Sequence, residues 1–236
     1  MAVMKTIDLF AKEKPVVQRE QQRDNYSSLE YLFSKSLAEI PLDAIFAAVF
    51  TTVLKATTGL RIGWKDLTAT FSLMTVAGAS LGFAIGAFSP SSEAALATGI
   101  PMLVILMAVG VINPSGLSDA EPQPAIIQAL QELSPIAHAV KAVCIAEYGG
   151  MEFESEQKSV LSKGRALARD LPKMGAFALV QNGEQVLNEL GLSDVTYAGT
   201  MRQLAVLSAI NLLVSWMGMR LQATQHKSSS TALVPL

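Results

Sequence analysis

Residues 67–88, LTATFSLMTVAGASLGFAIGAF, run for 22 positions without one charged side chain. As a helix this stretch is about 33 Å long, close to the hydrocarbon thickness of a bilayer. Such a segment needs either lipid or a large protein interior around it, and the rest of the chain offers little of the second. Of its 236 residues 50% are hydrophobic and 16% charged, against roughly 25% charged in soluble domains, and the mean hydropathy is +0.37. The first expectation is therefore a membrane helix. Within it Gly78, Gly82 and Gly86 recur every fourth residue beside Ala79 and Ser80, a pattern that lets helix backbones approach closely.

Three further segments share this character. Residues 94–112 add 19 uncharged positions around Pro101, and a membrane helix accommodates an internal proline when neighbours re-satisfy the freed carbonyl. Residues 203–219 stop at Arg220 and carry Trp216, a residue suited to the membrane interface. Residues 37–58 are interrupted by Glu39, Asp43 and Lys55, and each charge would cost roughly 2.5–3.5 kcal/mol at a helix centre. The uncharged middle, 44–54, covers only about 16 Å, so the acids at one end and Lys55 at the other are expected near the interfaces.

The loop between residues 113 and 202 is too long to lack structure of its own. Within it PAIIQALQELSPIAHAVKAVCIA, residues 124–146, has apolar residues at helical spacing broken by Ser134-Pro135, which predicts two short helices against or partly inside the membrane. Asn182, Gln185 and Gly191 outline a further short helix, the stretch EFESEQKSVLSKGRALARDLP reads as solvated, and residues 223–236 read as a disordered tail. The fold expected is thus an all-α membrane protein with about four transmembrane helices, at 37–58, 67–88, 94–112 and 203–219, and a long, partly helical loop before the last one.

Four spans place both termini on one side. The segment before them holds Lys5, Lys12, Lys14, Arg19, Arg23 and Lys35, and the positive-inside rule then puts both ends in the cytoplasm. A formal charge of −2 gives no basic surface for nucleic acid. Two histidines, His138 and His226, are too few for a metal site. Cys144 has no partner cysteine and lies in an apolar run, as a buried thiol would. No G-x-S-x-G or H-E-x-x-H pattern occurs, so no catalytic, metal or cofactor-binding residue is assigned.

The segment before the first span reads F-A-K-E-K-P-V-V-Q-R-E from Phe10, followed by Tyr26, Tyr31, Lys35 and Glu39-Ile40-Pro41. Together with SPSSEAA after the 67–88 run, INP after the next, and LSPIAHAVKAVCIAEYGGMEF in the loop, this order resembles the G-type, or white-brown complex, ABC transporters. The resemblance extends from Phe10 to about Gln222 and implies an ABC-2 type transmembrane domain, corresponding to spans three to six of a six-span half-transporter. Asp24 stands where the family's G-x-Y has glycine, and Ala146 where its N-E-F has asparagine.

Residues 1–36 would then be the cytosolic connecting and coupling segment, with Glu13, Arg19, Glu20 and Tyr26 transmitting motion from a nucleotide-binding domain. For Arg19 and Glu20 the alternative is an ordinary solvated helix pair. Glu39 and Pro41 suit a helix's first turn, where acid favours the dipole and proline loses no bond. Met102, Ile105, Gly110 and Val111 fall where the family lines its substrate path and gate, ordinary packing being the alternative. Nothing matches the phosphate-cradling G-x-x-x-x-G-K-[ST] loop, so ATP would bind a partner domain, in trans or in a longer chain, and the unit would work as a homo- or heterodimer among membrane lipids. The function implied is part of an exporter's path for lipid-like or amphipathic substrates. A non-transporting membrane scaffold derived from such a transporter is the other reading, and a soluble helical protein a third.

Overall fold

The computed structural model describes residues 2–23, 26–110, 124–151, 183–192 and 194–231. Every regular element among them is helical: α1 (Ala2–Gln22), α2 (Ser28–Thr58), α3 (Trp64–Phe88), α4 (Ser92–Gly110), α5 (Ala125–Leu133), α6 (Pro135–Tyr148), α7 (Gly183–Glu189) and α8 (Tyr197–Thr231). Four of them, α2, α3, α4 and the part of α8 up to Leu221, are long and apolar enough to cross a membrane. The solvated stretch expected after residue 151, together with Asn182, lies outside the described residues.

Helix α3 is the hub. In its most apolar stretch 56% of the residues are buried, against 22% in α2 and in α4, and it packs against α8, α1, α2 and α6. The glycine row explains why α1 comes so close: a Cβ on Gly78 would meet Val3 at 2.9 Å, one on Gly82 the Val3 carbonyl oxygen at 2.9 Å, and one on Gly86 the Phe10 ring at 2.6 Å. Gly99 of α4 receives Ile7 in the same way, its missing Cβ falling 2.5 Å from the Ile7 methyl. The small-residue stripe thus seats α1, whose Val3, Ile7, Phe10 and Val17 are buried. Val3, Thr6, Ile7 and Phe10, within the segment expected to be a cytosolic connector, thus belong to the helical core.

Several boundaries also differ from expectation. Helix α2 starts at Ser28, because Ser27 and Glu30 form a reciprocal capping box there. Glu39 and Pro41 therefore sit in the helix interior and not in its first turn. Glu39 and Asp43 face inward, 8% and 7% exposed, while Lys55 reaches past the end of α2 to donate to the Ile62 carbonyl at 2.6 Å. Helix α8 runs through Arg220 to Thr231, where a disordered tail was expected from residue 223; no proline or glycine intervenes after Gly218 to stop it. The break in the long loop falls at Ser134, which caps α6 by accepting from the Ala137 amide.

The outward faces are apolar. Phe33, Ile45, Phe46, Val49 and Val53 on α2, Val104 and Met107 on α4, and Val206, Leu213 and Met217 on α8 are all more than half exposed. Hydrocarbon is the medium that accepts such surfaces on four long helices whose backbone polar groups are satisfied internally. The chain is a multi-pass integral membrane protein.

Candidate functional site

The charged segment singled out in the sequence folds into a junction of α1, α2 and α3. On α1 the buried positions 3, 7, 10 and 17 follow the alternating four- and three-residue step of a helix packed along another. Lys14 occupies the place in this series where another apolar residue would fall. Its Nζ enters the C-terminal end of α3 and donates to the carbonyls of Ala87 at 3.0 Å, Ser89 at 2.5 Å and Gly86 at 3.4 Å. A cation supplied by another helix thereby satisfies carbonyls that α3 cannot pair itself and meets the negative end of its dipole. Burial pulls the Lys14 pKa below the usual lysine value.

Beside it, Glu13 turns toward α2. Its carboxylate accepts from Lys35 Nζ at 2.8 Å and from Tyr31 Oη at 2.6 Å. Tyr31, Lys35, Glu39 and Asp43 recur every fourth residue and so share one stripe of α2. Because α1 and α2 run antiparallel, the stripe pairs in reverse order: Glu39 lies opposite Lys5, at 3.9 Å, and accepts from Thr6 Oγ1 at 3.5 Å. The acid on one helix meets the base on the other at both places, which resolves the cost of placing Glu39 in the bundle. For Glu13, burial alone would raise the carboxyl pKa, but the bonds from Lys35 and Tyr31 and the lysine charge outweigh it, and the group sits below its usual value.

The aromatic residues close the same junction. Phe10 packs edge-on to Phe83, centroids 5.5 Å apart, and against Tyr31 at 6.1 Å. Tyr26 stacks on Tyr31 and donates to Glu20 at 2.5 Å. Burial first, and then the Glu20 carboxylate, push the Tyr26 phenol up to about 12.

The residues expected to act together divide. Glu13, Glu20 and Tyr26 are brought into one network through Tyr31. Arg19 is not: it is exposed, and among the described residues no hydrogen bond or ion pair reaches it. The Arg19–Glu20 pair does not form because Glu20 turns in to Tyr26. On α4, Met102 is half-buried and Ile105 is 46% exposed, while Gly110 is covered by Ile136, where a Cβ would approach to 2.9 Å. Gly110 is thus a packing position for α6, and Val111 lies outside the described residues. In the sequence Lys5 counts only toward the positive segment, and Lys14 toward that segment and the F-A-K-E-K resemblance. Lys14 was discoverable as the position that continues the 3, 7, 10, 17 series, whereas nothing local marks Lys5 as the partner of Glu39.

Elsewhere, His138 is buried with Nε2 2.9 Å from the Glu132 carbonyl, a structural bond across the α5–α6 elbow. Cys144 is a half-buried free thiol. Among the described residues no group of three His, Cys, Asp or Glu side chains is placed to hold a metal ion.

The structure is thus a membrane bundle with a charged, antiparallel helical hairpin wedged against its central span. The sequence matches the ABC-2 type transporter family over residues 1–148, and the chain belongs to that family. It is 31% identical to ABC transporter G family member 7 of Arabidopsis thaliana over 172 residues, 71% of this chain and 23% of that protein. It is 28% identical to Protein white of Drosophila melanogaster over 155 residues, 64% of this chain and 22% of that one. With ABC transporter G family member 22 of Arabidopsis thaliana the identity is 24% over 198 residues, 82% of this chain and 24% of that relative. The chain therefore spans about a quarter of the length of these relatives.

Proposed function

We propose that this chain is part of the membrane domain of an ATP-driven exporter for lipid-like or amphipathic compounds, working by alternating access. A nucleotide-binding domain in trans or in a longer chain supplies ATP hydrolysis, and the assembly is a homo- or heterodimer with both termini in the cytoplasm. The observation that carries this reading is the α1 junction. One helix is tied to α2 through Glu13 and to the end of α3 through Lys14, so a push on α1 is delivered to two membrane helices at once. Pro15, Val16, Arg19 and Arg23 remain exposed along the same hairpin, an apolar and basic edge on which a partner domain can press. In this reading Arg19 acts outward, on the partner, while Glu13, Glu20 and Tyr26 act inward, keeping the lever stiff.

The test is affinity purification of the tagged chain from native membranes in mild detergent, with mass spectrometry of what co-purifies. Recovery of a nucleotide-binding chain with the wild type, reduced by Arg19→Glu but not by Lys12→Glu, is the expected result. Lys12 is a suitable control because it is engaged with Asp8 on the same helix at 2.7 Å. Recovery of the chain with no ATPase partner would favour the scaffold reading and end the transport one.

A further inference from the structure

At the end of α3 opposite the α1 junction, the α2–α3 turn is held by a residue from a distant part of the chain. The Glu147 carboxylate, near the end of α6, accepts from the backbone amides of Arg61 and Ile62 at 2.9 Å each, one oxygen to each amide. The turn is shaped for this. Gly59 takes a left-handed conformation, φ +67°, that ends α2, and Lys55 draws the chain back through the Ile62 carbonyl. Two successive N–H groups then point the same way and form a concave anion seat. Arg61 contributes its backbone to the seat, and its side chain is exposed. The start of α6 is fixed as firmly: Ser134 Oγ donates to the Leu106 carbonyl of α4 at 3.1 Å, and Ile136 covers Gly110. Helix α6, about 21 Å long, therefore bridges the end of α4 and the α2–α3 turn.

We propose that α6 is a brace across this end of the bundle and that Glu147 is the positioning residue that closes it, so that α2, α3 and α4 change their spacing there only if α6 moves with them or Glu147 lets go. That the brace limits opening of a transport path rests on the function proposed above; the brace itself does not.

The experiment is amide hydrogen exchange, resolved to single residues, on the full chain in detergent. In the wild type the Arg61 and Ile62 amides should exchange slowly, although one belongs to an exposed turn residue. Glu147→Gln replaces one acceptor with a donor and should speed both amides at least about tenfold, with α3 amides from Leu81 to Ala84 unchanged. Glu147→Asp keeps the charge but is one methylene shorter, and should give partial protection. Arg61→Ala should change neither amide, because only the backbone is used; a loss of protection there would mean a side-chain ion pair and would overturn the assignment. Wild-type amides that exchange at the rate of free turn residues would overturn it as well, without recourse to any variant. A chain that keeps these amides protected but recruits no ATPase would leave the brace standing and remove the transport reading.

Discussion

The two ends of α3 are held by different chemistry. Along its C-terminal half most partners are side chains of α1 and α2, helices adjacent in sequence: Glu13 with Lys35 and Tyr31, Lys5 with Glu39, Phe10 with Phe83 and Tyr31, and Lys14 adds a side chain to backbone contact at the very end. At its N-terminal end the partners are backbone groups held by side chains from far away, Glu147 on the Arg61 and Ile62 amides and Tyr197 on the Asp66 carbonyl at 2.9 Å. Side-chain pairs depend on particular residues at both partners and fix one register. Side chain to backbone contacts depend on the fold of the turn and tolerate change in its sequence. The first end fixes a register between helices, and the second holds the shape of a turn.

The sharpest way to break the first end is to empty its centre. Phe10→Ala removes a ring that is 2% exposed and touches two others, and should cost about 3–5 kcal/mol, read as a large drop in the detergent thermal midpoint with loss of the monodisperse species. A drop no larger than that of a surface alanine would show that α1 is only loosely seated.

Charge comes next. Glu13→Gln leaves Lys35 half-buried without its carboxylate and should cost about 1–3 kcal/mol. Adding Lys35→Met should recover part of that, and a double-mutant cycle with no coupling would mean that the pair does not join α1 to α2. The pH dependence has a definite sign. Because the folded Glu13 carboxyl lies below its ordinary value of 4.5, its contribution is complete above that value and is lost as pH falls through the folded pKa. Glu13→Gln should flatten the acid limb of stability between these two points.

A smaller effect is expected at the cap. Lys14→Met keeps the length but withdraws the cation from the end of α3, and should cost about 0.5–2 kcal/mol, with faster amide exchange confined to the segment after Gly86. An equal change at the α2–α3 turn would contradict the independence of the two ends.

The smallest effect is spectroscopic. The Tyr26 phenol should ionise near pH 12 instead of 10, and Glu20→Gln should bring it down, measured by phenolate absorbance against a Tyr26→Phe control. Here the stabilisation from the neutral phenol is present below pH 10 and is lost as pH rises toward 12.

Much of this was legible in the chain itself. A run of 22 uncharged residues fixes α3 as a membrane helix whatever surrounds it, since the length and polarity of a span are set by the bilayer. The four-residue recurrence of Tyr31, Lys35 and Glu39 marks one face of α2, and Ser134-Pro135 marks the elbow between α5 and α6. The start of α2 was missed because Pro41 looked like a beginning, although the stronger signal was Ser27 with Glu30 three residues on. Of the residues expected to act, Glu13, Glu20 and Tyr26 meet, Arg19 does not join them, and Gly110 packs under α6.

Local composition and period were enough to mark the spans that lipid can surround, because span length and polarity are set by the bilayer, but not to mark α1 or the continuation of α8 to Thr231 as helix. Which surfaces meet became visible only in the folded chain. That α1 fills the glycine row of α3, that Lys5 answers Glu39, and that Glu147 reaches a turn 85 residues away are matters of how helices pack, and a polar group inside the bundle is tolerable only beside the partner that packing provides.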